Sequence, residues 1–348
     1  MEKQIIFSLL MSLFFLNVFS QNPDKAEQLV NEGIKLHDAG KYAEAIAKYK
    51  EALTADADHP AALYEMSYTY YISGVLDSAI VLDEKLLKMN IPDNTRKQVY
   101  VNLGSVYDDS KQPQQAIKTY KQGIKKFPDF YLLYFNLAIT QYRNNDNENA
   151  MENFQKAVTL RPFHAGSNNG MYQILADENK IPAVLTATMV CIAEKNTKRS
   201  VECAQFIQSA FAPTVKSDSA KKNMTIYIPS SSLSEAKENN FSSAELGISL
   251  MAASPDIMDT LQLNTTVQKL KFQFDALCGF LDDKKQKGFF WKFYAPFFSD
   301  IKKNNYTEVL VNLVLQNTEN ESALWVTTNE TKVSEFYDWV NKYNWPNK

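Results

Sequence analysis

Apolar and polar positions over residues 97–164 repeat at a fixed offset of 34. Tyr100, Asn102, Leu103, Gly104, Ala116, Tyr120 and Pro128 fall on Tyr134, Asn136, Leu137, Ala138, Ala150, Phe154 and Pro162. Agreement at one period marks a helical repeat array, in which each unit buries its apolar face against the next. Tyr100, Leu103 and Tyr107 stand at i, i+3 and i+7, which predicts a first helix with one apolar face. Ala116, Tyr120 and Gly123 share a face of a second helix, with Tyr120 as knob and the small residues as holes. Gly104 adds no side chain and so admits a neighbouring helix. Pro128 cannot continue a helix and biases Phe127 out of the helical region, which ends the pair.

This spacing resembles the tetratricopeptide repeat family, in which an aromatic, a Leu and a small residue precede a second helix carrying Ala, an aromatic and a closing Pro. The resemblance covers residues 26 to about 198. It divides an array over residues 21–212 into units 26–59, 60–93, 97–130 and 131–164, a degenerate unit 165–198 and a closing helix 199–212. Glu32 and Ala57 depart from the usual Leu and Pro in the first unit, as suits a terminal repeat facing water. Asp83 stands where the second unit should carry an aromatic, and Asn94, Thr95 and Arg96 form an insertion expected to widen the next turn. In the fifth unit Tyr172 and Thr188 replace the small residue and the aromatic. The expected fold class is all-α, an α-solenoid of helical hairpins followed by a helical C-terminal module.

In the family the first helix of each pair lines a concave side, and the fifth, ninth and twelfth positions of the repeat face into it. The resemblance therefore implies a groove lined by Val30, Ile34, His37, Tyr64, Tyr68, Tyr71, Val101, Ser105, Asp108, Phe135, Ile139 and Tyr142. The Lys, Asn and Arg set with which chaperone-binding members grip a peptide carboxylate is missing from these positions. Tyrosines instead suit a hot spot for an extended or helical peptide, because they bury much area at low entropic cost. The competing reading is that the chain's own C-terminal residues fill the groove.

Residues 213–240 turn to Ser, Lys and Asn around one alternating stretch, Thr225 to Ile228, and read as a linker or crossover. Residues 241–348 show helical patterns without a repeat. Ser242 with Glu245, and Thr265 with Gln268, predict capping boxes, the first before an apolar stripe of Leu246, Leu250 and Met251. Leu270, Phe274, Leu277 and Cys278 form a further stripe, Phe290, Phe293, Tyr294, Phe297 and Phe298 another, and Val333, Phe336, Tyr337 and Val340 a last one. Tyr306 to Leu315 is apolar enough for a buried helix or a strand.

Residues 1–20 read as a signal peptide: Lys3 precedes the uncharged run Ile5–Leu16, and Val18 and Ser20 are small enough for cleavage before Gln21. The mature chain is then expected outside the cytoplasm, in the periplasm or on the surface of a Gram-negative bacterium, with no transmembrane segment. A net charge of −3 over 348 residues gives no reason to expect nucleic acid. Cys191, Cys203 and Cys278 form no C-x-x-C pair and read as small buried hydrophobes. The only histidines are His37, His59 and His164, so no His-based triad or metal site can be built after residue 164, and no phosphate-binding glycine loop occurs. No cofactor, metal or catalytic residue is expected. The reading is a non-enzymatic scaffold that binds a protein or peptide. The alternative is a glycan hydrolase using carboxylates such as Asp282, Asp283 and Glu308 of the C-terminal module.

Overall fold

The computed structural model describes residues 22–177, 179–212, 215–218, 223–226, 238–252, 260–283 and 285–346. The proposed signal peptide and most of the 213–240 segment lie outside these residues. The fold is an all-α helical repeat; the described residues form seventeen helices and one two-stranded hairpin. Compactness separates the chain into two units, residues 1–126 and 127–348.

The first unit contains three helical hairpins: α1 (Pro23–Asp38) with α2 (Tyr42–Ala55), α3 (Pro60–Ile72) with α4 (Leu76–Lys88), and α5 (Asp93–Asp109) with α6 (Pro113–Lys126). Proline opens α1, α3 and α6, where its missing N–H costs nothing. Each hairpin turns through a left-handed residue after its first helix, Gly40, Gly74 and Lys111 in order. The aromatic of the second helix then enters the glycine gap of the first. A methyl group on Gly33 would come within 2.3 Å of the Tyr49 ring, and one on Gly104 within 2.3 Å of the Tyr120 ring. Tyr49 and Tyr120 are buried accordingly.

The middle hairpin solves the same packing problem with polar groups. Ser67 occupies the glycine position and Asp83 the aromatic one, and both are fully buried. Asn102 of α5 donates from Nδ2 to Asp83 Oδ2 at 2.8 Å and to Ser67 Oγ at 3.2 Å, while the Ser67 hydroxyl donates to the Ala79 carbonyl at 3.1 Å. Asp83 Oδ1 is buried without a hydrogen-bond partner. The expected widening at Asn94–Arg96 does not occur: these residues form the first turn of α5. Arg96 reaches back from there, donating from its guanidinium to the carbonyls of Leu87 at 3.0 Å and Met89 at 2.9 Å at the end of α4. The extra residues are absorbed by lengthening a helix because that satisfies carbonyls a wider turn would leave open.

The second unit begins with α7 (Tyr131–Arg143) and α8 (Asn147–Leu160), followed by α9 (Ala165–Leu175), α10 (Lys180–Ala193) and α11 (Lys198–Ala210). A hairpin of β1 (Val215–Asp218) and β2 (Asn223–Ile226) pairs antiparallel, with Val215 opposite Ile226. It lies within the stretch read as linker. Then come α12 (Ser242–Ala252), α13 (Thr266–Phe280), α14 (Phe289–Lys303), α15 (Thr307–Leu315), α16 (Asn320–Thr328) and α17 (Glu330–Lys342). The Thr265–Gln268 capping box is present. The Ser242–Glu245 box is not: Ser242 is already helical, and its N–H bonds to the Asn240 side chain at 2.9 Å. The expected stripe on α12 is also rotated, since Leu246 and Leu250 are exposed while Ala244 and Ile248 are buried.

One buried cluster runs from Ala138 through the fifth hairpin and the C-terminal helices to Trp345. All twelve residues from Ile181 to Ile192 of α10 are buried, the pattern of a helix covered on every side. Polar anchors fix the cover. The Tyr294 hydroxyl donates to Asn168 Oδ1 at 2.6 Å, Gln273 donates to the Phe211 carbonyl at 2.9 Å, and the Tyr337 hydroxyl donates to the Ile192 carbonyl at 3.0 Å. No described helix is long and apolar enough to cross a membrane.

Candidate functional site

In the first unit, α1 packs beside α3 and α3 beside α5, so the first helices of the hairpins form one layer. Tyr64 and Tyr68, one turn apart on α3, lie with ring centroids 6.4 Å apart and planes within 10°. The His37 ring stacks on Tyr68 at 5.4 Å and tilts against Tyr42 at 5.3 Å. His37 Nδ1 is 2.8 Å from the Thr69 hydroxyl, which fixes the imidazole beside Tyr68. The result is a ladder of half-buried rings across the seam between α1 and α3. Tyr64 keeps its proton because burial, and secondarily the Glu65 carboxylate, raise its pKa. Its hydroxyl is therefore available as a donor throughout the physiological range.

The remaining positions of this layer are tied more closely to the scaffold. The Tyr71 hydroxyl donates to Asp109 Oδ2 at 2.7 Å, linking α3 to α5. Ser105 donates to the Val101 carbonyl at 2.9 Å and lies 3.0 Å from the Tyr120 hydroxyl. Ile34, Val101 and Asp108 are half-buried. Val30 does not line a surface: it is 1% exposed and belongs to the core of the first hairpin with Ala26, Ala45 and Ala62.

In the second unit Phe135, Ile139 and Tyr142 of α7 are half-buried and pack against that unit's own core. The Phe135 ring meets His164 at 4.6 Å, edge to face, and Phe154 at 6.2 Å. His164 caps α9 by accepting the Ser167 N–H at 3.2 Å on Nδ1. Burial, then the Arg161 and Arg199 charges, push its pKa down to about 4, so the imidazole is neutral and structural.

Asp282, Asp283 and Glu308 are each engaged locally. Asp282 pairs with Lys303 at 2.8 Å and accepts from Ser299, Asp283 accepts from the Lys285 N–H at 3.0 Å and from Gln286, and Glu308 pairs with Lys332 at 3.6 Å. Burial pushes the Cys203 and Cys278 thiols up to about 12 and raises Cys191 as well, so all three are held as thiols. Among the described residues no group of three or more His, Cys, Asp or Glu side chains could hold a metal ion.

Family models described as tetratricopeptide repeat match residues 36–89 and 101–165. These segments are tetratricopeptide repeats. The second match includes Gly104 and its partner Tyr120, and residues beyond 165 are matched by neither model. Among solved structures, MamA from Desulfovibrio magneticus RS-1 is 20% identical, with 53% of this chain and 97% of that one aligned at a TM-score of 0.40. TTC0263, a thermophilic TPR protein of Thermus thermophilus, is 16% identical over 52% of this chain and 98% of its own, at 0.43. YrrB, a TPR protein with an unusual peptide-binding site, is 18% identical over 53% of this chain and 94% of its own, at 0.39. No curated protein matches the sequence.

Proposed function

We propose that the chain is a non-enzymatic interaction scaffold that takes a protein or peptide segment on the first-helix layer of its N-terminal unit. The observation that carries this reading is the ring ladder of His37, Tyr64 and Tyr68. Stacked, half-buried aromatic rings are pre-organised contact area, so docking there costs little further side-chain entropy. The tetratricopeptide repeats support the same reading, because a stack of hairpins presents an extended surface rather than an enclosed pocket.

Replacing Tyr64 and Tyr68 by Ala is expected to weaken binding by at least about tenfold, given the usual contribution of a hot-spot pair. Partners would first be captured by cross-linking in cells and read by mass spectrometry, and then measured against both proteins. The far-ultraviolet circular dichroism of the variant should match the parent. Unchanged partner capture by the folded double variant would remove the ladder from the binding surface.

The scaffold is further proposed to work outside the cytoplasm, in the periplasm or on the cell surface of a Gram-negative bacterium. The support is the Lys3 charge ahead of the uncharged Ile5–Leu16 run and the small Val18 and Ser20 that follow. Expressed from its full sequence, the protein should be recovered from an osmotic-shock fraction with Gln21 as its first residue. Recovery from the cytoplasm with residues 1–20 intact would overturn the assignment.

A further inference from the structure

A second surface of the N-terminal unit carries cations without carboxylates to meet them. Helix α6 holds Lys118, Lys121, Lys125 and Lys126, all exposed, and has no Asp or Glu in its sequence. Among the described residues none of these four lysines has a carboxylate within ion-pair distance. A cleft of about 300 Å³ opens between α4, α5 and α6. Lys88 of α4 and Lys118 of α6 line it, together with Leu87 and Leu103, and Glu84 is its one carboxylate among the described residues. Glu84 and Lys88 stand at i and i+4, the spacing at which such a pair usually meets. Here Glu84 instead accepts from the Tyr107 hydroxyl at 2.7 Å, and among the described residues Lys88 is left unpaired. Thr119 also lines the cleft and is only 6% exposed. Among the described residues its hydroxyl has no hydrogen-bond partner, not even the carbonyl four residues back to which Thr159 and Thr188 donate in their helices. Nor is that hydroxyl sealed from solvent, as the unpartnered Thr140 hydroxyl is.

We infer that this cleft is a second binding site, which seats a glutamate or aspartate side chain from an acidic segment of a partner protein. It shares no residue with the ring ladder. Charge complementarity selects the occupant: a carboxylate between Lys88 and Lys118 gains charge-assisted bonds from both walls. Its oxygens can also accept from Thr119, which gives a nearly buried hydroxyl the partner that its own helix withholds. The aliphatic stem of a glutamate covers apolar area on Leu87 and Leu103. Lys121, Lys125 and Lys126 extend the positive field along α6, so a segment with several carboxylates is favoured over an isolated one. A basic segment would set cation against cation, and a neutral amide would leave both ammonium groups without a counter-charge.

The test uses the full chain, immobilised, and capped peptide libraries that differ only in a fixed central pair: two glutamates, two glutamines or two lysines. Glutamine keeps the shape of glutamate and removes the charge. Retained peptides are counted by mass spectrometry. Glutamate-centred peptides should be enriched about tenfold over glutamine-centred ones, with lysine last. Lys88→Gln and Lys118→Gln, checked for unchanged circular dichroism, should each cut the glutamate-to-glutamine ratio about threefold or more. Thr119→Val keeps the shape of the side chain and removes only the hydroxyl, and it should cut the ratio about twofold or more. Lys121→Gln takes the same charge from the same helix outside the cleft and should cost clearly less than Lys118→Gln. Equal retention of the glutamate and glutamine libraries overturns the site. So do equal losses from Lys118→Gln and Lys121→Gln with none from Thr119→Val, which would mean diffuse attraction to a basic helix. Neither result touches the ring ladder, whose own variants are Tyr64→Ala and Tyr68→Ala.

Discussion

Asp83→Asn is expected to stabilise the N-terminal unit at about pH 8 and to flatten its stability between about pH 4 and pH 7. The parent carboxyl is buried between α3, α4 and α5, with one oxygen bonded to Asn102 and the other bonded to nothing. Burial drives its pKa from 3.8 up to about 7, against the smaller opposing pull of its polar neighbours Ser67 and Asn102. Because the folded pKa lies above the unfolded one, the folded state holds the proton more tightly. The associated stability is fully present below about 3.8 and is lost as pH rises through about 7. The loss should amount to about 2–4 kcal/mol across that window, opposite in sign to the acid destabilisation usual for paired carboxylates. Urea unfolding at a series of pH values, followed by amide exchange in α3 to α5, measures it directly. Asn102→Ala supplies the complementary result. By stripping the donor from an ionised Asp83 it should cost about 2–3 kcal/mol at about pH 8, and clearly less at about pH 5, where the carboxyl is protonated. A parent curve that rises with pH across this range, parallel to that of Asp83→Asn, would show that Asp83 is already ionised in the fold at low pH.

That network also marks how far the sequence could be read. The period of 34 and the prolines at hairpin ends were legible because each reflects one local constraint: a face to bury, or an N–H to do without. Gly104 was legible as a gap that admits a neighbouring helix, but that Tyr120 fills it, and Tyr49 the gap at Gly33, was not. Asp83 was visible as a departure, but its partner Asn102 belongs to the next hairpin, and only the stacking of α5 on α4 brings the two together. Long-range contacts likewise hid the burial of α10: an unbroken apolar run states that a helix is covered, not by what. The helix α16 was missed because it buries only Ser322 and so carries no apolar stripe. Among the candidate site residues the tyrosines of α3 were named from their repeat positions, and the structure stacks Tyr64 on Tyr68. Val30 was misassigned because the repeat position sets a direction while side-chain length sets whether the surface is reached.

The other large effect is expected in the second unit, from Phe297→Ala. Phe297 on α14 is fully buried at the centre of an aromatic cluster. Its ring stacks on Trp339 at 5.4 Å and Trp345 at 4.7 Å, and meets Tyr343 at 5.0 Å and Phe163 at 5.8 Å edge to face. Phe163 lies in the turn between α8 and α9, so this one ring joins the repeat hairpins of the unit to α14, α17 and the C-terminal segment beyond it. Truncation removes those contacts and leaves a cavity whose rigid aromatic walls collapse poorly, a cost of about 3–5 kcal/mol. Thermal unfolding of this unit should fall by about 10 °C. The change should be accompanied by a red shift of tryptophan emission as Trp339 and Trp345 become wetter. Phe297→Leu keeps most of the volume and should cost about half as much. If the C-terminal helices serve mainly to cover α10, amide exchange in the Ala variant should rise in α10 together with α14 and α17, because the apolar faces of α10 are then the ones exposed. Exchange that rises in α14 and α17 alone would mean that α10 is held by α9 and α11 without them, and that the C-terminal helices form a separable layer.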